Sequence, residues 1–436
     1  MTKPCAGRDV RFRGDPASVD FRRMSDGPVL DALVLDALIL DYVRTPRAKA
    51  SAKGALHDRT AIDLLVHLQQ ALVDRTGLDP ARVDDVIVGC ASQVDEQGAN
   101  IARTAALLAD WGDRAPGLTI NRFCASGVDA VAHAAARLRA GDLSLAVAGG
   151  VESVSRVPLF ADRGPLWTDP ATIRTVGSVH MGVAADLNAT IEGFGREELD
   201  GYGVETQQKA ATAWAGGAFA RSVVPVGPGP SGPGLDHDEL VRGQTTLAAL
   251  AALPPAFAQL GADGQDEIAL NAYPAVPSIE HLHTVGTSPQ MADAAALLLL
   301  GTAKQAEAAG IAPRGRIVAA ATTAVNPVLM LTAGQSAVLE VIERAGLRPA
   351  DIDVFEFAEA FAALCLKFRR DLDAGPDRMN PNGGTMAMGH AFGATGAILV
   401  GSCLEELERR DGRYGVAAVS GAAGLGVAVL IERLPG

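Results

Sequence analysis

The chain has 436 residues, 48% of them hydrophobic, and a formal net charge of −13. That length holds two to three ordinary domains and ample apolar material for a core without disulfide staples. The charge argues against a general nucleic-acid binder, because neutralising phosphates needs clustered Lys and Arg; an anionic small ligand remains possible, held by a few local cations and helix N-termini. No uninterrupted apolar run reaches about 18 residues, so no membrane span is expected. The nearest stretch, Val29 to Leu40, is broken by Asp31 and Asp36. Five scattered cysteines (Cys5, Cys90, Cys124, Cys365, Cys403) form no CxxC pair. Neither a zinc site nor a disulfide framework follows from that pattern, and a reduced cytoplasm fits it best.

In chain order, residues 1–36 mix Arg11, Arg13, Arg22 and Arg23 with Asp9, Asp15, Asp20 and Asp26 and lack an apolar h-region. They read as a poorly ordered extension or a mis-set start codon rather than a targeting peptide. From there short apolar strands alternate with Ala-rich helices: strand Ala37–Val43, helix Ala61–Arg75, strand Val86–Gly89, helix Asn100–Ala109 and strand Leu118–Asn121. The helix Gly127–Ala140 ends at Gly141 and leads into the strand Leu143–Ala148. Strand, helix and strand in succession predict a mainly parallel sheet covered by helices.

Across 165–303 the alternation weakens, and the Pro/Gly-dense Val223–Asp238 reads as an exposed loop. An inserted lobe covering the site is the expectation. The order then recurs: strand Arg316–Ala321, helix Ala333–Ala345, strand Ile352–Phe357, a glycine-rich loop, helix Ala394–Arg410 and strand Gly415–Val419. The expected architecture is therefore α/β with two similar halves, 37–164 and 304–436, flanking the lobe.

Each half places a reactive residue in a small-residue loop ahead of a helix. Cys124 precedes the helix starting near Gly127, where oriented amides and the macrodipole favour a thiolate. The alternative is a buried structural cysteine, the expectation for Cys90, Cys365 and Cys403. His390 follows the run Gly383-Gly384-Thr385-Met386-Ala387-Met388-Gly389, and imidazole is the usual partner of a catalytic thiol. The other histidines (His57, His67, His133, His180, His237, His281, His283) read as solvated or capping residues.

Asn121-Arg122-Phe123-Cys124-Ala125-Ser126-Gly127 resembles the nucleophile motif of the thiolase family. Val43-Arg44-Thr45-Pro46, Gly98-Ala99-Asn100-Ile101-Ala102-Arg103, Gly149-Gly150-Val151-Glu152-Ser153 and His180-Met181-Gly182 are similar to further family segments. Asn382-Gly383-Gly384 and Gly389-His390-Ala391-Phe392-Gly393-Ala394-Thr395-Gly396 look most like the thiolase subunits of fatty-acid oxidation complexes. The resemblance runs in order from about Asp36 to Leu434. It implies a thiolase fold, two similar α/β halves with mixed sheets and an inserted loop lobe, in which Cys124 attacks a 3-ketoacyl-CoA and carries the acyl group, and His390 activates the thiol. The Cys124 amide would serve the oxyanion. It further implies coenzyme A as a substrate, with no covalently bound cofactor and no metal, and an assembly as homodimer or homotetramer.

Four positions depart from the family pattern. Ala358 stands where an Asn or His holds an oxyanion-hole water, and losing such a donor costs about 3 kcal/mol of transition-state stabilisation. Ser420 aligns with the second catalytic cysteine, and a hydroxyl is a far weaker acid than a thiol; Ala422 replaces the glycine often found two places later, keeping its N–H. Pro289, after Ser288, aligns with a serine that meets the pantetheine arm of CoA. Ala391 replaces a proline. The departures leave two other readings beside the thiolase: a non-condensing acyltransferase or thioesterase using only the Cys124–His390 pair, or a non-catalytic subunit of the same fold.

Overall fold

The computed structural model of the protein describes residues 36–230 and 232–435. The extension expected at 1–36 therefore lies, apart from Asp36, outside the described residues. The first half contains β1 (Leu38–Arg44), β2 (Ala48–Lys49), α1 (Ala61–Thr76), β3 (Asp85–Gly89), α2 (Ile101–Leu108), β4 (Gly117–Ile120), α3 (Ser126–Arg139) and β5 (Leu145–Ser153). Local chemistry sets the ends of α1. The Thr60 hydroxyl accepts from the Asp63 N–H at 3.1 Å while the Asp63 carboxylate accepts from the Thr60 N–H at 2.9 Å. This reciprocal box satisfies two otherwise orphaned donors, and Gly77 closes the other end in the left-handed region.

The lobe carries α4 (Met181–Glu192) and α5 (Arg196–Ala215). The remainder supplies β6 (Ala292–Gly301), β7 (Gly315–Ala324), α6 (Ala333–Arg344), β8 (Val354–Phe357), α7 (Ala362–Leu372), α8 (Phe392–Arg410), β9 (Tyr414–Gly421) and β10 (Leu425–Arg433). The strands follow the order β4-β3-β5-β6-β1-β7-β10-β9-β8, with β2 on β6. Outward from the β1–β7 junction the two sides mirror each other, β1-β6-β5-β3 and β7-β10-β9-β8. The recurrence in the sequence is thus a recurrence of topology. The junction itself is slight, joining Leu38 to Arg316 and Ile39 to Gly315.

Two expectations need correction. The sheet is mixed, as the family resemblance implies, rather than mainly parallel as the strand–helix alternation predicts: β3 runs parallel to β4 and β5, and β8 to β9, but β6, β1, β7 and β10 pair antiparallel. A short turn from β9 to β10 needs no helical crossover, which is why antiparallel pairing enters. The lobe also ends before 303, because β6 lies between β5 and β1 in the sheet. Its run Ala-Asp-Ala-Ala-Ala-Leu-Leu-Leu-Leu-Gly is buried on both faces and shows no alternation to mark it as a strand.

Side chains sort into three packed layers of core. Ala146 and Ala148 of β5 join α3, α8 and residues Ala417 and Val419 of β9 in the central layer, while Leu145 and Val147 face α1 and α2. The outer face of the second half packs on α6 and α7. The central helices approach through glycine. A Cβ on Gly127 would stand 2.4 Å from the Gly393 carbonyl oxygen, and one on Gly396 would stand 2.2 Å from the Val128 nitrogen. That contact brings the loops at the N-terminal ends of α3 and α8 to the same place.

Candidate active site

Cys124 sits in a tight turn between β4 and α3. Asn121 Oδ1 accepts from the Phe123 N–H at 2.8 Å, and Ser126 Oγ accepts from the Arg122 N–H and donates to the Phe123 carbonyl. The turn forces Phe123 to φ +50°, a left-handed conformation that costs a non-glycine residue about 1 kcal/mol or more. Helix α3 starts two residues after the cysteine.

A depressed thiol pKa was the expectation, and the structure reverses it. Burial pushes the Cys124 thiol up to about 12, and the Glu152 carboxylate adds to the rise. The backbone N–H groups of Cys124 and Ala422 point the other way, toward the charged sulfur, without cancelling the effect. Arg122 gives no help, since its guanidinium is paired with Asp129 at 2.7 Å. The resting thiol is protonated.

His390 comes from the opposite half. Its N–H donates to the Gln290 carbonyl at 2.7 Å and its carbonyl accepts from the Ala292 N–H at 3.1 Å, tying the loop to the start of β6. Gly389 precedes it at φ +107°, a conformation open to glycine. Nδ1 hydrogen-bonds with Thr395 Oγ1 at 2.8 Å, which leaves Nε2 as the available nitrogen. Burial lowers the imidazole pKa to about 4, with Arg47 contributing; the Arg47 guanidinium donates to the Gly389 carbonyl at 3.3 Å. A neutral base thus shares the site with a neutral thiol.

The four predicted site residues meet at one cavity of about 220 Å³, which Cys124, His390, Ser288 and Ser420 all line, together with Pro289 and Ala422. The hydroxyls of the two serines are already engaged. Ser420 donates to the Leu331 carbonyl at 2.7 Å and accepts from the Gly334 N–H at 2.9 Å. Ser288 donates to the Thr284 carbonyl at 2.7 Å, which leaves a lone pair for a ligand N–H. Ala358 is buried at the end of β8, its N–H donating to Ala418. The cavity wall beyond it is Ala360 and Phe361.

Residues that the sequence reading did not single out hold this geometry. The fully buried Glu152 accepts from the N–H groups of Ala91, Ser92 and Gly393 and from Gln97, so one carboxylate clasps loops of both halves. Glu359 accepts from Tyr202, Thr206, Asn380 and the Met386 N–H, joining the lobe to the glycine-rich loop. No periodicity marks either acid. Among the histidines, His180 does cap α4, with Nδ1 accepting from the Gly182 N–H, but it also lines the cavity. His283 is neither solvated nor a cap: it is buried and bonded to Asp186 at 2.7 Å, because that carboxylate needs a buried donor. Cys90, Cys365 and Cys403 are buried free thiols, as expected of structural cysteines. Among the described residues no His, Cys, Asp and Glu group is arranged to hold a metal.

Comparison with known proteins gives this site a family. The model of the thiolase N-terminal domain matches residues 37–263 and that of the thiolase C-terminal domain matches 311–433. The 3-oxoadipyl-CoA/3-oxo-5,6-dehydrosuberyl-CoA thiolase of Escherichia coli (strain K12) is 36% identical over 414 residues, covering 90% of this chain and 98% of that one. The 3-ketoacyl-CoA thiolase of Yersinia pestis (strain Pestoides F) is 35% identical over 402 residues, again covering 90% and 98%. The crystal structure of the Bacillus anthracis acetyl-CoA acetyltransferase matches with a TM-score of 0.80 at 31% identity, over 92% of this chain and 99% of that one. With both domains matched in order around a cysteine and a histidine from opposite halves, the chain belongs to the thiolase family of acyltransferases.

Proposed function

We propose that the protein transfers an acyl group between a 3-ketoacyl-CoA and CoA through a thioester on Cys124, with His390 as the base. The observation that carries this reading is the convergence of thiol, neutral imidazole and two backbone amides at one cavity. The thiol proton passes to His390 Nε2 as Sγ adds to the keto carbon, so charge develops only as the bond forms. The N–H groups of Cys124 and Ala422 receive the oxyanion. Collapse breaks the C2–C3 bond, the two-carbon fragment leaves as acetyl-CoA after gaining a proton, and CoA then takes the acyl group from sulfur. In this scheme Ser420 delivers the proton to C2, which requires its hydroxyl to swing away from Leu331, and regains one from the CoA thiol as CoA attacks, while protonated His390 returns its proton to the departing Cys124 sulfur. Ser288 and Pro289 border the path of the pantetheine arm.

A second reading, transfer without carbon–carbon chemistry, is favoured by the Ala358 methyl and by the engaged hydroxyl of Ser420. A homodimer or homotetramer and a cytoplasmic location belong to the same proposal, the first by family analogy alone and the second from free thiols. Among the described residues no helix is long and apolar enough to cross a membrane.

Incubation with acetoacetyl-CoA followed by intact-mass measurement tests the core step. An acetyl adduct that disappears in Cys124→Ala is the expected result; no adduct refutes acyl transfer. Loss of acetoacetyl-CoA only when free CoA is present selects thiolysis over the second reading.

A further inference from the structure

We propose that the acyl tail runs past Met181 into an apolar back cavity, and that this passage selects methyl-ended chains over chains ending in a carboxylate. The inference rests on the thioester reading above and adds the substrate class. Three cavities meet at one side chain. Beside the reacting cavity lies a small one of about 30 Å³, bounded by Cys124, Leu159, Phe160 and Trp167. Beyond it lies another of about 180 Å³, walled mainly by Phe160, Leu166, Trp167, Ile173 and Ile268, with Ser178, His180 and Gln265 as its polar residues. Met181 borders all three, and Phe160 and Trp167 border the latter two. The three cavities thus share wall residues from the sulfur outward, with Met181 at the border of each. An unbranched thioether at the meeting point can swing aside more readily than a branched or aromatic side chain.

The aromatic wall is fixed in place. Phe160 is held at φ +68°, a conformation that persists in a non-glycine residue only where its surroundings over-determine it. Its ring lies 4.7 Å from that of Trp167, which meets Phe123, the neighbour of the nucleophile, edge-on at 5.9 Å.

Charge decides which tail the passage takes. Among the described residues no Lys or Arg lines any of the three cavities, and the acid that does is Asp162, in the small one. Burial lowers the pKa of His180, which keeps its imidazole neutral at the entrance. A terminal carboxylate arriving there would find no cationic side chain among the lining residues, only the neutral Ser178, His180 and Gln265. A terminal methyl would gain from burial against Leu166, Ile173 and Ile268.

The test compares thiolysis of 3-ketooctanoyl-CoA with thiolysis of the same eight-carbon chain ending in a carboxylate, using the full chain. The expected result is a kcat/KM about 100-fold or more in favour of the methyl-ended substrate; equal values overturn the inference. A filled back cavity gives a second check. Ile268→Trp is expected to lower the ratio of octanoyl-chain to acetoacetyl-chain kcat/KM about tenfold or more, and an unchanged ratio in folded protein counts against the proposal. If acetoacetyl-CoA leaves no adduct on Cys124, the function itself is refuted. An adduct without discrimination between tails refutes only the back cavity.

Discussion

At the scale of single residues, the cysteine and histidine were legible because both sit in sequence motifs; their protonation was not. A helix N-terminus argues for a thiolate, yet burial beside Glu152 overrides it and holds Cys124 near 12. Alkylation by iodoacetamide is therefore expected to accelerate about tenfold per pH unit from pH 7 to 10 without levelling off, since only the thiolate reacts. A plateau near pH 7 would show a depressed thiol and restore the first expectation. His390, lowered to about 4, gains its proton only in that acid range, so kcat/KM should hold its plateau down to about pH 5. Ser420→Cys supplies a stronger acid at the position of the proposed C2 proton donor, and its carbon–carbon cleavage rate should rise about tenfold or more. No change in a folded variant would remove that residue from the proton path. Thr395, which orients the imidazole from five positions along, lies within the histidine motif, but its role was not legible there because it exists only once the loop has closed.

At the scale of elements, what the sequence disclosed depended on end signals and on residue type rather than on burial. Helix α1 announces itself through its Thr60 box and Gly77 stop, and the two helices bearing the reactive loops follow glycine signals. Strand β6 escaped because its Ala- and Leu-rich run is built of helix formers and shows no alternation, whereas β1, β3 and β5, equally buried, carry β-branched residues that mark them. In the sequence the glycines of α3 and α8 stand only as a helix start and as part of a motif, yet they act through packing. A Cβ at Gly396 would lie 2.2 Å from a backbone nitrogen, an atom that cannot rotate away. Gly396→Ala should therefore lower stability by about 1–3 kcal/mol, the usual range for overpacking, despite the better helix propensity of alanine. The same substitution separates the loops of Cys124 and His390, so adduct formation should fall with stability. A variant as stable as the parent would mean that the helices have room to move apart.

At the scale of the whole molecule, the doubled topology was readable as a repeat, whereas the attachment of the lobe was not, because its anchors are far apart in sequence. Asp238 lies inside the stretch read as an exposed loop, yet its carboxylate is completely buried. It accepts from Arg44 of β1 at 2.8 and 3.1 Å and from the Arg47 N–H at 2.8 Å. Arg47 in turn reaches the carbonyl of Gly389, next to His390. One carboxylate thus links the lobe, the first half and the histidine loop of the second. Removing it leaves two buried guanidinium groups without their counter-charge, and breaking a buried pair in this way costs about 3–5 kcal/mol. Asp238→Ala is accordingly expected to drop the thermal midpoint by several degrees and to lower the yield of Cys124 adduct. The exposed Asp236, two residues earlier, provides the control: Asp236→Ala should leave the midpoint where it is. Equal behaviour of the two variants would show that the ion cluster does not hold the lobe, and that packing around Phe219 and Leu240 secures it instead.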